Sequence, residues 1–494
     1  MTTALPLRSR PPAATAGRAF LPVLVGVTLV VSIISSLGAP LLPSVAEALS
    51  VSLSSAQWSL TAALLAGAVA APVLGRLGDG PHRRKAILGV LAVVTAGGIV
   101  AGAAGSLPLL IVGRVLQGIG LGLAPIAMAS ARDHLPAERV PAAIGLLSVS
   151  GATGVGAGYP ISGLIAERFD VYVAFYFGAV LSAAAFAAAF LVIPRSRATA
   201  TVPLDVPGAL VGGLGVVALL IGVGQGAQWG WLSPAVLGCF AVAAVVLASW
   251  VRLQLRLDNP LVDLRQLRHR AVLGADFAAL LLGTALYMFL TVVTEFVQTP
   301  SRVSFGFDAS TLVAGLCLVP FSITSLTASR VVGALARRFG TPAVLATGSL
   351  AIAAGGAFFA LVHDALWEAF AAMGLLGVGF GFTFAAIPGL IARSVPDREV
   401  GSAMGFYQVI RSIGFSVGSA FVASVLAAHE VAGAAFPSVG GYTLALWIGA
   451  GICAAAALVA LLFAPRGAEG PPSPEQERAA RDDAELASAG IAEG

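Results

Sequence analysis

The sequence predicts an all-α integral membrane protein of fourteen transmembrane helices, arranged as two pseudo-symmetric six-helix bundles with a central inserted helix pair. Three observations predict it. Apolar runs of about 20 residues, the length of a helix that crosses a bilayer, recur along nearly the whole chain. Basic residues collect in alternate connectors. The spacing of small residues and prolines in the first half returns in the second. Composition agrees: at 58% hydrophobic and 11% charged residues, the chain lacks the charge that a soluble surface needs.

The first six spans begin near Phe20, Trp58, Ala86, Leu109, Ala142 and Val171. The run from Phe20 to Leu42 exceeds the apolar core of a secretion signal and reads as span one. Spans seven and eight begin near Val206 and Pro234, and the last six near Val272, Thr311, Pro342, Leu366, Ser402 and Tyr442. The connector after span one, Pro43 to Gln57, has no basic residue; the next holds Arg76, Arg83, Arg84 and Lys85, and the alternation continues. Connectors on the Asp79 side, with both tails, hold 24 of the 28 lysines and arginines. The opposite side holds Arg168 and Arg302, while Arg114 and Arg411 lie within spans. Basic residues are retained in the cytoplasm. Both termini are therefore expected there, as an even span count requires, in a multi-pass protein of the plasma membrane. The net charge of +4 then records topology and gives no reason to expect a nucleic-acid partner.

The expected division is a disordered cytoplasmic tail over 1–18, a six-helix bundle over 19–193, inserted helices over 194–254, a basic cytoplasmic linker over 255–271, a second bundle over 272–464 and a disordered tail over 465–494. The repeat supports the two bundles. Pro136, Val140, Ala143, Gly145, Val149 and Gly154 return 260 positions later as Pro396, Val400, Ala403, Gly405, Val409 and Gly414. Spans seven and eight have no counterpart. Parallel six-helix repeats are a transporter plan, with the substrate site near the midplane between the halves.

The connector Gly75-Arg76-Leu77-Gly78-Asp79-Gly80-Pro81-His82-Arg83-Arg84-Lys85 carries the sharpest local signal, with a weaker copy starting at Gly333. Gly75 and Gly78 allow close helix approach. Asp79 puts a negative charge at the membrane edge, where the N-terminus of a facing helix would attract it. Span thirteen, just after Arg398-Glu399, is a plausible partner. Such a contact would latch the two bundles on the inner side and favour an outward-open state. Gly75, Arg83 and Arg84 belong with Asp79 to this expected latch, and Arg83, Arg84 and Lys85 also set topology and attract anionic lipid. The pairs Gly118 and Gly122, Gly154 and Gly158, and Gly377 and Gly381 have the spacing of close helix packing.

With these motifs the chain resembles the major facilitator superfamily, in particular its fourteen-helix drug/proton antiporter branch. The connector matches at Gly75, Leu77, Asp79, Arg83 and Arg84 and departs at Gly80 and His82. Span four carries Leu110, Arg114, Gln117, Gly118 and Gly120; span thirteen carries Arg411-Ser412-Ile413-Gly414. The branch's antiporter motif in span five survives at Pro160 and Gly163, after Gly154 and Gly158, but Tyr159 replaces a glycine. Ile34 and Ala63 stand where the branch usually has Asp and Tyr.

Charges inside spans mark function, because they are costly in lipid. Arg411 lies about 14 Å along span thirteen and shares a face with Gln408. A cavity-lining role and a structural role are both open for it. Arg114, with Gln117 on its face, is a second substrate or coupling candidate. Neither arginine releases a proton near neutral pH, so a coupled proton needs an acid, and Asp276 and Glu295 are the candidates. The five histidines read as surface residues. The cysteines read as apolar packers, and no metal site is expected.

The expected function is secondary active transport: proton-coupled efflux of hydrophobic drugs or secondary metabolites by alternating access. Metabolite uptake or uncoupled facilitation on the same fold is the alternative, and a membrane-embedded enzyme has less support. No cofactor is expected beyond a proton gradient. The expected partners are a small hydrophobic or amphiphilic substrate, protons and lipids, with the chain acting as a monomer.

Overall fold

In lipid a backbone has to satisfy its own N–H and C=O groups, and a helix does so within one segment. The computed structural model describes residues 17–37, 41–136, 139–195, 204–257, 260–268, 270–300, 305–395, 399–429 and 437–463, and among them it forms helices and no β-strand. The expected tails, apart from residues 17 and 18, lie outside the described residues, as do Arg302 and Arg398.

The α-helices run, in order, α1 (Phe20–Ser36), α2 (Leu42–Ala48), α3 (Leu53–Gly78), α4 (Arg83–Gly102), α5 (Leu107–Gly118), α6 (Leu123–His134), α7 (Val140–Arg168), α8 (Val171–Val192), α9 (Val206–Trp229) and α10 (Pro234–Arg256). The second half continues with α11 (Arg270–Gln298), α12 (Thr311–Leu316), α13 (Leu318–Phe339), α14 (Thr341–Leu361), α15 (Leu366–Ser394), α16 (Val400–Ala427) and α17 (Val439–Leu462). They supply 13 segments long and apolar enough to cross a bilayer, and the shorter α1 makes the fourteenth.

Local chemistry sets the ends. Side chains of Ser52, Asp170, Ser233 and Ser438 accept a backbone N–H in the first turns of α3, α8, α10 and α17, as capping residues do. Gly230, at φ +83°, turns the chain out of α9 in a conformation that favours glycine. The fourth span is not one helix: a 3-10 turn, Ile119–Gly122, joins α5 to α6. A Cβ on Gly118 there would collide with the backbone of Ala63 in α3. The short α2, in the connector after span one, was not expected from the sequence.

In the first half α1 packs on α7, and α4 on α5 and α8; in the second, α11 packs on α16 and α17, and α15 on α13 and α14. The halves meet where α3 touches α16 and where α7 touches α12, α13 and α15. Of the inserted pair, α9 lies against both α3 and α16, while α10 packs on α9 and exposes Val242, Val245, Val251 and Leu255 on the side that lipid would cover. His134 corrects the expectation of surface histidines. It is buried, its ring lies tilted against that of Phe20 with centroids 5.3 Å apart, and its Nδ1 lies 3.0 Å from the Ser130 carbonyl oxygen.

Candidate functional site

Asp79 follows the last residue of α3 and is buried against the first turn of α16. Its Oδ1 accepts the Gly401 N–H at 2.7 Å and its Oδ2 accepts the Ser402 N–H at 2.9 Å. These are two of the N–H groups that a helix start leaves without partners, and the helix dipole favours an anion there. Gly75 makes the approach achievable, since a Cβ on it would collide with the Gly401 carbonyl. Ser402 Oγ donates to the Leu261 carbonyl at 2.8 Å, which ties the connector after α10 to the same point. Nearby, Arg132 of α6 donates to the Ala392 carbonyl of α15 at 2.5 Å, across the halves.

The basic residues of the connector separate. Arg83 donates to the Gly78 carbonyl and pairs with Asp133 at 2.5 Å, bracing the end of α3 against α6. Arg84 points away: it donates to the Phe190 carbonyl at 2.6 Å, and its guanidinium sits 5.2 Å from that residue's ring. It makes no contact with Asp79.

Burial pushes the Asp79 carboxyl up from 3.8 to about 7, while the Gly401 and Ser402 N–H groups, then Arg76 and Arg83, pull it down. A carboxyl raised when the seam closes takes up a proton on closing. Acid therefore favours closure; this help is complete below 3.8 and is lost as pH rises through about 7. Spin labels at His82 and Arg393, on the two sides of the seam, are expected to show fewer short distances as pH rises from about 6 to about 8. Asp79→Asn is expected to abolish that trend.

At the opposite end α7 carries the antiporter-like residues. Gly154 and Gly158 pack on α1: a Cβ on the first would collide with Ser32, and on the second with Ser36. Pro160 and Gly163 face the other half, where Gly315 meets Pro160 and Leu312 meets Gly163. The same four residues thus hold α7 to its own bundle and to its partner.

Between these seams lies a cavity of about 60 Å³, bounded by both halves. Thr28, Ser32, Tyr287, Phe384, Gln408 and Arg411 are among its lining residues. Arg411 donates to Gln408 Oε1 at 2.5 Å and to the Tyr407 hydroxyl at 3.3 Å, and it lies 5.2 to 5.6 Å from the rings of Tyr407, Phe384 and Phe415. No carboxylate among the described residues bonds to it. Drug-sized ligands occupy pockets of about 300–1,000 Å³, so this arrangement is closed around its centre and has to widen to admit one.

Arg114 is different. It is fully buried, donates to Gln117 Oε1 at 2.8 Å and reaches the Ile34 and Ser35 carbonyls of α1 at 3.3 and 3.2 Å. It does not line the cavity. Asp276 is buried on α11, its Oδ1 has no hydrogen-bond partner, and it borders a void of about 10 Å³ shared with Asp263 and Ser402. Such a void is about one water in size. Asp276 and the Asp79 contact therefore share Ser402 as a neighbour. Glu295 is exposed, near the other end of α11. The aromatic set around Arg411 was only partly legible: Tyr407 and Phe415, one turn before and one turn after it, share its face, but Phe384 joins from α15 through packing.

A profile of the Major Facilitator Superfamily matches residues 24–419. The Multidrug resistance protein B homolog of Mycobacterium tuberculosis is 27% identical, over 75% of this chain and 68% of its own length. The Tetracenomycin C resistance and export protein of Streptomyces glaucescens is 28% identical, over 88% of this chain and 79% of its own. The lincomycin resistance protein of Streptomyces lincolnensis is 27% identical, over 85% and 86%. Among solved structures, the human organic anion transporter MFSD10 (TETRAN) superposes with a TM-score of 0.62 over 91% of this chain and 100% of its own, at 16% identity, which is a likeness of fold.

Proposed function

The chain belongs to the Major Facilitator Superfamily and is a transporter rather than an enzyme, and we propose that it exports hydrophobic drugs or secondary metabolites from the cytoplasm in exchange for protons. The observation that carries this reading is the cavity between the halves, apolar and aromatic except for Arg411, Gln408 and a few hydroxyls. It suits a hydrophobic molecule that is neutral or anionic. Relatives named for multidrug, tetracenomycin C and lincomycin resistance support export of such cargo. The distribution of basic residues supports cytoplasmic termini and an inner position for Asp79, in the plasma membrane.

In this cycle the Asp79 contact latches the inner seam, and the α7 residues Gly154, Gly158, Pro160 and Gly163 close the outer one. Arg411 and Gln408 orient cargo. Arg114 and Gln117 act indirectly, by holding α1 along the cavity wall. Asp276 is the better placed of the two acids to carry the proton, because its environment changes when the seam at Ser402 opens. Asp276→Asn is expected to abolish the dependence of drug efflux on an imposed pH gradient, measured in everted vesicles, whereas Glu295→Gln is expected to leave it within about twofold of the parent. The reverse pattern would move the coupling site to the outer end of α11; unchanged coupling in both variants would remove both acids from the mechanism.

A further inference from the structure

A larger cavity lies beside the central site, on the flank of the protein. Its volume is about 500 Å³, and it opens between α3, α9, α10 and α16 over the connector that follows α10. Pro72, Gly212, Val262 and Phe406 represent its four apolar walls, with Trp250 inside and Arg265 at its edge. The walls run from the Asp79 end of these helices toward their middles. Trp250, for instance, lies six residues before the end of α10, about 9 Å along the axis.

One charged residue breaks the apolar lining. Trp250 is buried and faces the cavity with its ring, while its Nε1 is turned to the backbone of Gly212 in α9. Arg265 is exposed at the mouth, where it donates to the Leu255 carbonyl at 3.0 Å. Arg252 and Arg256 are exposed on the same end of α10. Among the described residues the nearby acids are engaged: Asp205 accepts from Gln254 and Gly208, and Asp263 accepts the backbone N–H of Arg265. Cations at the membrane edge and an apolar channel behind them match a headgroup and an acyl chain in that order. A cargo site would gather several polar groups around one molecule instead.

We infer that this cavity binds an anionic phospholipid from the leaflet at the Asp79 end, with its phosphate at Arg265 and one chain against Trp250, Pro72 and Phe406. The lipid would bridge α3 and α16, the two helices that Asp79 joins, and it would rest on the connector held by Ser402. It therefore favours the closed seam. This inference rests on the chain being embedded in a bilayer and is independent of the cargo or the direction of transport.

The test uses the full chain in phosphatidylcholine nanodiscs containing rising fractions of phosphatidylglycerol brominated near the ester carbonyl, with tryptophan fluorescence as the readout. Saturable quenching is expected at low phosphatidylglycerol fractions and not with brominated phosphatidylcholine at the same fractions. Trp250→Phe is expected to remove the saturable component, and Arg265→Gln to shift it at least fivefold to higher lipid fraction. Equal quenching by the two headgroups in the parent protein would overturn the inference without recourse to any variant. So would persistence of the saturable component in Trp250→Phe, or its displacement by a hydrophobic drug, which would assign the cavity to cargo.

Discussion

Asp79→Asn is expected to lower transport at least tenfold, with normal amounts of protein in the membrane. Asp79 presents two acceptor oxygens to two N–H groups at the start of α16. A protonated carboxyl still has two oxygens that can accept, whereas an amide has one and sets its NH₂ against an N–H. Leaving a buried donor unsatisfied costs about 1–3 kcal/mol. At about 2 kcal/mol the ratio of closed to open inner seams changes roughly 30-fold. A transporter that cannot hold its inner seam closed cannot present cargo to the outside. Asp79→Ala, which loses both acceptors, is expected to transport less than Asp79→Asn. Steady-state export and membrane abundance, measured together, check this; parent-level export by either variant would remove the latch from the cycle.

The second large effect is expected at Arg411. Its guanidinium bonds Gln408 and Tyr407 and faces three aromatic rings beside the cavity. Each ring contact contributes about 0.5–2 kcal/mol in a desolvated setting, and a buried cation repels cationic cargo. Arg411→Gln is expected to reduce export of anionic and neutral drugs at least tenfold and to improve the relative handling of cations. Arg411→Lys keeps the charge but not the planar fork, so it is expected to recover the cation exclusion and only part of the rate. A dye-efflux panel of matched anionic, neutral and cationic substrates separates these outcomes. An unchanged charge preference in Arg411→Gln would place cargo elsewhere.

The spans were legible because length and hydropathy are local properties that lipid enforces directly. Helix starts were less so. Span two reads from Trp58 but begins at Leu53, where Ser52 caps it. The break after Gly118 was not legible, since its glycines are read equally well as plain packing; the approach of α3 at Ala63 decides their role. The two arginines show the same limit. Arg114 and Arg411 each have a glutamine three positions away, but one reaches the carbonyls of α1, and the other faces a cavity built from several helices. Arg84 had the appearance of a latch residue by sequence position, and its partner, Phe190, lies more than a hundred positions away. Sequence neighbourhood identified which residues are unusual for lipid. Contacts between distant spans decide what each of them touches. Ile34, where the resemblance leads one to expect an acid, is fully buried packing, which shifts attention to Asp276.

Purified protein in liposomes, given an imposed pH gradient and offered a panel of hydrophobic dyes and antibiotics, tests the central claim most directly. Proton-coupled export predicts that at least one compound moves against its concentration gradient, that proton flux accompanies it, and that a protonophore abolishes both. Transport that only equilibrates each compound, or that is indifferent to the pH gradient for all of them, would contradict the account.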